Sequence, residues 1–171
     1  LCAKAKALAK EMNYRPNPFA MSLRKNAPRI IGVIVPDIVT HFFASILNGI
    51  ENMAIANGYF VIITTSHESY EHEKRNIENL VNMRVEGIIA CLSQETTDFS
   101  HISALKDINM PLILFDRVCL TDQFSSVVAD GVQSAQMATQ HLLDNGSKRV
   151  AFIGGANHLD IVCLLYTSPS P

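Results

Sequence analysis

The sequence predicts an α/β chain built on a doubly wound parallel sheet with helices on both faces. Three observations carry that expectation. Short runs rich in Ile, Val and Leu begin near residues 30, 59, 87 and 112, a recurrence of roughly 25–30 residues that matches a strand–helix crossover unit. Each run is apolar along its length instead of alternating, as in strands buried on both faces. The stretches between them carry helical periodicity and end at Gly or Pro, so the two element types alternate down the chain.

Taken in order, the first stretch is basic. Residues 3–12 are strong helix formers with Ala5, Leu8, Ala9 and Met12 on one face. Next comes Tyr14-Arg15-Pro16-Asn17-Pro18-Phe19-Ala20-Met21-Ser22-Leu23-Arg24-Lys25, a short helix with its start built in. Asn17 is placed to cap orphan N–H groups, Pro18 takes the first helical position, and Pro16 keeps Arg15 extended. Phe19, Ala20 and Leu23 share a face, and Arg15, Arg24, Lys25 and Arg29 surround it with positive charge. At this level two readings stand. One is a linker helix packed on its own body by Phe19 and Leu23. The other is an apolar wedge flanked by cations that enters a DNA minor groove. Residues 1–29 hold seven Lys/Arg against Glu11 alone, a net +6, while the remainder holds seven against fifteen Asp/Glu, a net −8. A basic arm on an acidic body points the arm, and not the body, toward a polyanion.

The body follows, with strands expected at 30–35, 59–65, 87–92 and 112–115 and shorter ones at 126–129 and 149–153. The clearest helix covers 41–56, where Phe42, Phe43, Ile46, Leu47, Ile50, Met53 and Ala54 form one stripe. Thr40 is its expected N-cap and Asn57-Gly58 its left-handed stop. Weaker helices are expected at 70–83 and 99–108, and another at 134–143 closed by Asn145-Gly146. Cys2, Cys91, Cys119 and Cys163 show neither C-x-x-C nor zinc spacing, which points to reduced thiols, with Cys91 packing as a small hydrophobe. No apolar run approaches the roughly 18 residues of a membrane span, and the Lys-rich start lacks the apolar core of a secretory signal. Phosphate loops, dinucleotide fingerprints, zinc-protease and nucleophile-elbow motifs are all missing. The six histidines have no metal-ligand spacing. No enzyme activity, cofactor or metal is expected.

In open α/β sheets ligands bind beyond the carboxyl ends of the strands. Those ends present Asp37, Ser66-His67, Ser93-Gln94, Asp116-Arg117 and Asp130, with Phe42 and Phe43 beside them. Carboxylates and amides to fix hydroxyls, with aromatic faces to cover a ring, suit a sugar or nucleoside. One of Phe42 and Phe43 is expected in the core instead of the pocket. Asp116-Arg117 reads either as a ligand contact or as a surface ion pair.

Y-R-P-N-P-F-A-x-S-L-R, continued by I-I-G-V-I-V-P-D, resembles the hinge and first core strand of LacI/GalR-type bacterial transcriptional regulators. The resemblance implies a periplasmic-binding-protein-like fold in two lobes, preceded by a DNA-binding headpiece. Residues 1–15 are then the remnant of a helix-turn-helix headpiece, 16–28 the hinge helix and linker, 29–129 the first lobe and 130–162 the start of the second. Residues 163–171, which end Ser-Pro-Ser-Pro, break the pattern and look like a translated sequencing adapter or a natural disordered tail. The same resemblance implies a cytoplasmic homodimeric repressor whose hinges meet operator DNA in the minor groove. It makes Leu23 the intercalating wedge, with Tyr14, Arg15, Asn17, Ala20, Arg24 and Lys25 around it. It also places Asp37, Phe42, Phe43, Asp116, Arg117 and Asp130 along a cleft for a sugar-like effector. The family often carries Asp-Asn where this chain has Asp130-Gly131, so no polar contact transfers to the second position. The competing assignment is a periplasmic-type solute-binding protein, which needs an export signal and no basic hinge.

Overall fold

The computed structural model describes residues 29–153, together with 8, 9, 11, 12 and 14. Five strands form one sheet: β1 (Ile30–Val35), β2 (Phe60–Thr65), β3 (Gly87–Ala90), β4 (Leu112–Phe115) and β5 (Ser125–Val127). Every pairing is parallel and the order is β2-β1-β3-β4-β5. Within residues 29–153 four helices accompany them: α1 (His41–Ala56), α2 (Tyr70–Asn82), α3 (Ser100–Asp107) and α4 (Gly131–Asp144). The chain steps outward from β1 to β2 and then back across to β3, so the winding reverses between β1 and β3. Right-handed crossovers on either side of that reversal put α1 on one face and α2 and α3 on the other.

The two faces have separate cores. Ile30, Ile34, Leu80, Ile88, Ile102 and Leu114 belong to the cluster beneath α2 and α3, while Val33, Val35, Phe43, Cys91 and Phe115 pack beneath α1. Alternate residues of β1 therefore serve opposite cores, which is why the strand carries no polar residue. Gly32 lies against Leu80, whose Cδ1 is 2.6 Å from where a Cβ would stand.

Helix α1 has the bounds its pattern predicts. Thr40 Oγ1 accepts the Phe43 N–H at 3.5 Å, and Gly58 takes the left-handed conformation at φ 75°. Met53 is nevertheless exposed, since its edge of the stripe has no neighbour among the described residues. The predicted strands 59–65 and 87–92 are trimmed to the residues that find ladder partners. Helix α4 begins three residues earlier than predicted because Asp130 caps it, its Oδ1 accepting the Gln133 N–H at 2.9 Å.

The expected strand at 149–153 is not formed. Those residues have no ladder partner among the described ones, and a parallel strand without a neighbour leaves its backbone groups unpaired. In the first segment, residues 8, 9 and 11 are helical as predicted, and Met12 and Tyr14 donate back to the carbonyls of Leu8 and Ala9 at 2.9 and 2.8 Å. Arg15, Asn17, Ala20, Leu23, Arg24, Lys25 and the 163–171 tail lie outside the described residues.

Candidate functional site

The winding reverses between β1 and β3, and in such sheets ligands bind beyond the carboxyl ends of the strands at that point. Asp37 stands at the end of β1. Its Oδ1 accepts the Val39 N–H at 3.0 Å, which shapes the turn into α1 and leaves Oδ2 as an acceptor. Of the aromatic pair, Phe43 is in the core and touches Phe115 edge to face, with ring centroids 6.4 Å apart. Phe42 is half exposed and meets Phe43 edge-on at 5.1 Å. Phe42 thus keeps an exposed ring supported by the buried Phe43.

Arg117 makes no ion pair with Asp116. Its guanidinium grips Glu68 end-on, Nη1 to Oε2 at 2.6 Å and Nη2 to Oε1 at 3.0 Å, and Nη1 also donates to the Leu92 carbonyl at 3.2 Å. Glu68 Oε2 in turn accepts the Gln94 N–H at 2.7 Å. One carboxylate therefore ties together the loops that follow β2, β3 and β4. Burial works against the Arg117 charge, but the hydrogen bonds and charge of Glu68 outweigh it and hold the pKa above its ordinary value.

Asp116 is half-buried, and burial lifts its pKa above the ordinary 3.8 despite the neighbouring Arg117 charge and a Cys91 thiol at 3.9 Å. His67, Glu68 and Asp116 all adopt left-handed backbone, with φ of 53°, 60° and 61°. Such conformations cost energy in non-glycine residues and concentrate at functional rims. Because the folded state favours protonated Asp116, its stabilising contribution is present below pH 3.8 and lost as pH rises through the raised value. Asp116→Asn, which keeps the shape and tolerates left-handed backbone, is expected to raise the melting temperature at neutral pH. The gain should vanish below the ordinary aspartate range, as melting curves across pH will read.

Ser66 and Ser93 do not face a ligand. Both are buried, and Ser93 Oγ donates to Ser66 Oγ at 2.7 Å, locking the ends of β2 and β3 together. Cys91 is buried as its sequence setting predicts, and burial pushes its thiol up to about 12. Asp130 serves as the α4 cap described above. His67 and His72 are exposed, with ring centroids 6.1 Å apart. Among the described residues no group of His, Cys, Asp and Glu is arranged to hold a metal.

Behind the rim lies a polar cluster that sequence reasoning missed. Glu73, wholly buried on α2, accepts hydrogen bonds from the Ser93 N–H at 2.5 Å, Thr96 Oγ1 at 2.9 Å and His101 Nε2 at 2.9 Å. His101 is buried too, its ring edge-on to Tyr70 and its Nδ1 without a hydrogen-bond partner among the described residues. The signal was periodicity: Glu73 stands four and seven residues before the buried Ile77 and Leu80, at a position the helical stripe reserves for the core. Its carboxylate anchors the 93–96 segment that carries the middle of the rim.

An all-parallel five-stranded sheet in this order, with helices on both faces, is a periplasmic-binding-protein-like α/β fold. The sequence comparisons agree: residues 29–160 match the family described as periplasmic binding proteins and sugar binding domain of LacI family, and the chain belongs to it. It is 34% identical over 144 residues to catabolite control protein A of Priestia megaterium, covering 84% of this chain and 43% of that protein. It is 31% identical over 153 residues to the ribose operon repressor of Bacillus subtilis, covering 90% and 44%. The chain thus spans less than half the length of these relatives. Among solved structures, a periplasmic binding protein/LacI transcriptional regulator from Alkaliphilus metalliredigens complexed with D-xylulofuranose is 29% identical with a TM-score of 0.68, covering 82% of this chain and 50% of that one. The lac repressor dimer bound to operator shares the fold, with a TM-score of 0.77 at 23% identity over 97% of this chain and 50% of that one. Among the described residues no helix is long and apolar enough to cross a membrane.

Proposed function

We propose that this chain is the hinge and first lobe of a cytoplasmic, homodimeric transcriptional repressor whose body senses a sugar or nucleoside and whose hinge helix engages operator DNA. The observation that carries the reading is the strand-end rim of Asp37, Phe42, Asp116 and Arg117, set at the switch point of a family sensor fold and joined in sequence to a basic, proline-framed arm. Similar proteins include repressors of ribose and sucrose operons, and no catalytic step is assigned. In this division residues 1–15 close a headpiece, 16–28 form the hinge, 29–129 make the first lobe and 130–162 open the second. That α4 buries none of its residues supports its belonging to another body.

Mechanistically, ligand held between lobes favours one lobe angle over another, and the two hinges of a dimer change their spacing with it. DNA affinity then follows by population shift, limited by the ligand's differential affinity for the two states. Leu23 is the wedge, Asn17 the cap, and Tyr14, Arg15, Ala20, Arg24 and Lys25 lie against phosphate and sugar. Ordering such a segment on binding costs about 2–5 kcal/mol, so the wedge must return more than that. In the full-length regulator, Leu23→Ala is expected to weaken operator binding in a gel-shift titration while ligand binding persists. Unchanged operator affinity would remove the wedge role.

A further inference from the structure

Among the described residues the rim carries one guanidinium, and a carboxylate already occupies it. Asp37, Glu68 and Asp116 stand there against Arg117, so the sum of charge is negative. Glu68 takes a terminal hydrogen from each Arg117 nitrogen, Nη1 and Nη2, and Leu92 O takes the other Nη1 hydrogen. What remains is the second Nη2 hydrogen and the Nε–H, which suit neutral acceptors such as ring and hydroxyl oxygens. A phosphate ester would meet acidic groups and a cation whose fork is filled. It could gain the bidentate contact that favours phosphate on arginine only by displacing Glu68.

We propose that Glu68 is the positioning residue that sets the charge preference of this site: by clamping Arg117 it makes the rim select uncharged polyhydroxylated rings and reject their phosphorylated forms. The proposal rests on the sensor reading above and names its ligand class. The clamp acts in two ways. It fixes the guanidinium plane across three loops, so that its remaining donors point consistently, and it supplies the repulsive element that specificity against a close analogue requires. Glu68 holds this place at a left-handed φ of 60°, a conformation paid for by its three hydrogen bonds.

The test titrates the full-length regulator, followed by two-dimensional NMR, with a panel of neutral pentoses and hexoses, with their phosphate esters, and with inorganic phosphate. The wild-type chain is expected to shift with a neutral sugar and to ignore the corresponding ester and phosphate. In Glu68→Gln the guanidinium is released, and ester and phosphate affinity should rise by roughly tenfold or more, the worth of one charge-assisted contact. Glu68→Asp, which keeps the charge, should retain the neutral preference, and Glu68→Gln with Arg117→Gln should lose the gained phosphate binding. A merely structural role for Glu68 would weaken all ligands together and leave the ratio unmoved; that result overturns the proposal while the sensor reading stands. Wild-type binding to no neutral sugar in the panel overturns both. Melting curves of each variant confirm that the comparison is between folded proteins.

Discussion

Glu73→Ala is expected to cost the fold several kcal/mol, because it removes the shared acceptor of three buried donors. The side chain is fully buried and its two oxygens satisfy the Ser93 amide, the Thr96 hydroxyl and His101 Nε2. Alanine leaves all three donors in a site without replacement acceptors, and each buried orphan costs about 1–3 kcal/mol. Glu73→Gln keeps the volume and one acceptor, so its cost should be clearly smaller. Urea unfolding of the three proteins measures the series. An alanine variant as stable as the parent would mean that water replaces the carboxylate freely. Because Ser93 and Thr96 belong to the loop after β3, the alanine variant should also loosen the rim and weaken ligand binding beyond its effect on stability.

Leu80→Ala is the second large effect, about 2–5 kcal/mol for a buried leucine. Leu80 is 1% exposed and packs against the bare backbone of Gly32, with its Cγ 3.1 Å from the position of an added Cβ. Gly32→Ala alone should cost about 1–3 kcal/mol, since its methyl group forces Leu80 out of place in a filled core. The double variant is informative because the alanine methyl at 32 enters the space that Leu80 vacates. Its loss should fall short of the sum of the single losses by about 0.5–3 kcal/mol, the range found for residues in contact. Strict additivity would place the two residues in separate packing environments.

These two positions also mark what the sequence made legible. Helix α1 could be read to the residue because its cap, stripe and stop are local, and all three signals agree. The strands could be read as elements because apolar runs of that length have few other uses. The ends of β1 and β4 fall where their apolar runs end, whereas β2 and β3 are shorter than their runs because a strand stops where its neighbour's ladder stops. Residues 149–153 have the composition of a strand, yet strand character is a property of a pair, and the partner is lacking among the described residues. Glu73 and His101 escaped because a charged or ionisable residue on a helix is read as solvated, and only the register of Ile77 and Leu80 argued otherwise. The partner of Arg117 lies 49 residues away in sequence, beyond any local pattern, so the alternative of an Asp116–Arg117 ion pair is the one the structure sets aside. Phe42 and Phe43 were separable in principle, since adjacent residues on a helix point about 100° apart and only one can face the core.

The proposed function couples a ligand at the rim to DNA at the arm, and fluorescence anisotropy of labelled operator against the full-length regulator tests that coupling directly. The operator comes from selection on a randomised palindrome, and the sugar is the one that binds best in the panel. The account predicts that saturating sugar changes operator affinity in the wild-type protein, and that Asp116→Ala abolishes the response to sugar. A sugar that saturates the wild-type lobe and leaves operator affinity unmoved would contradict it.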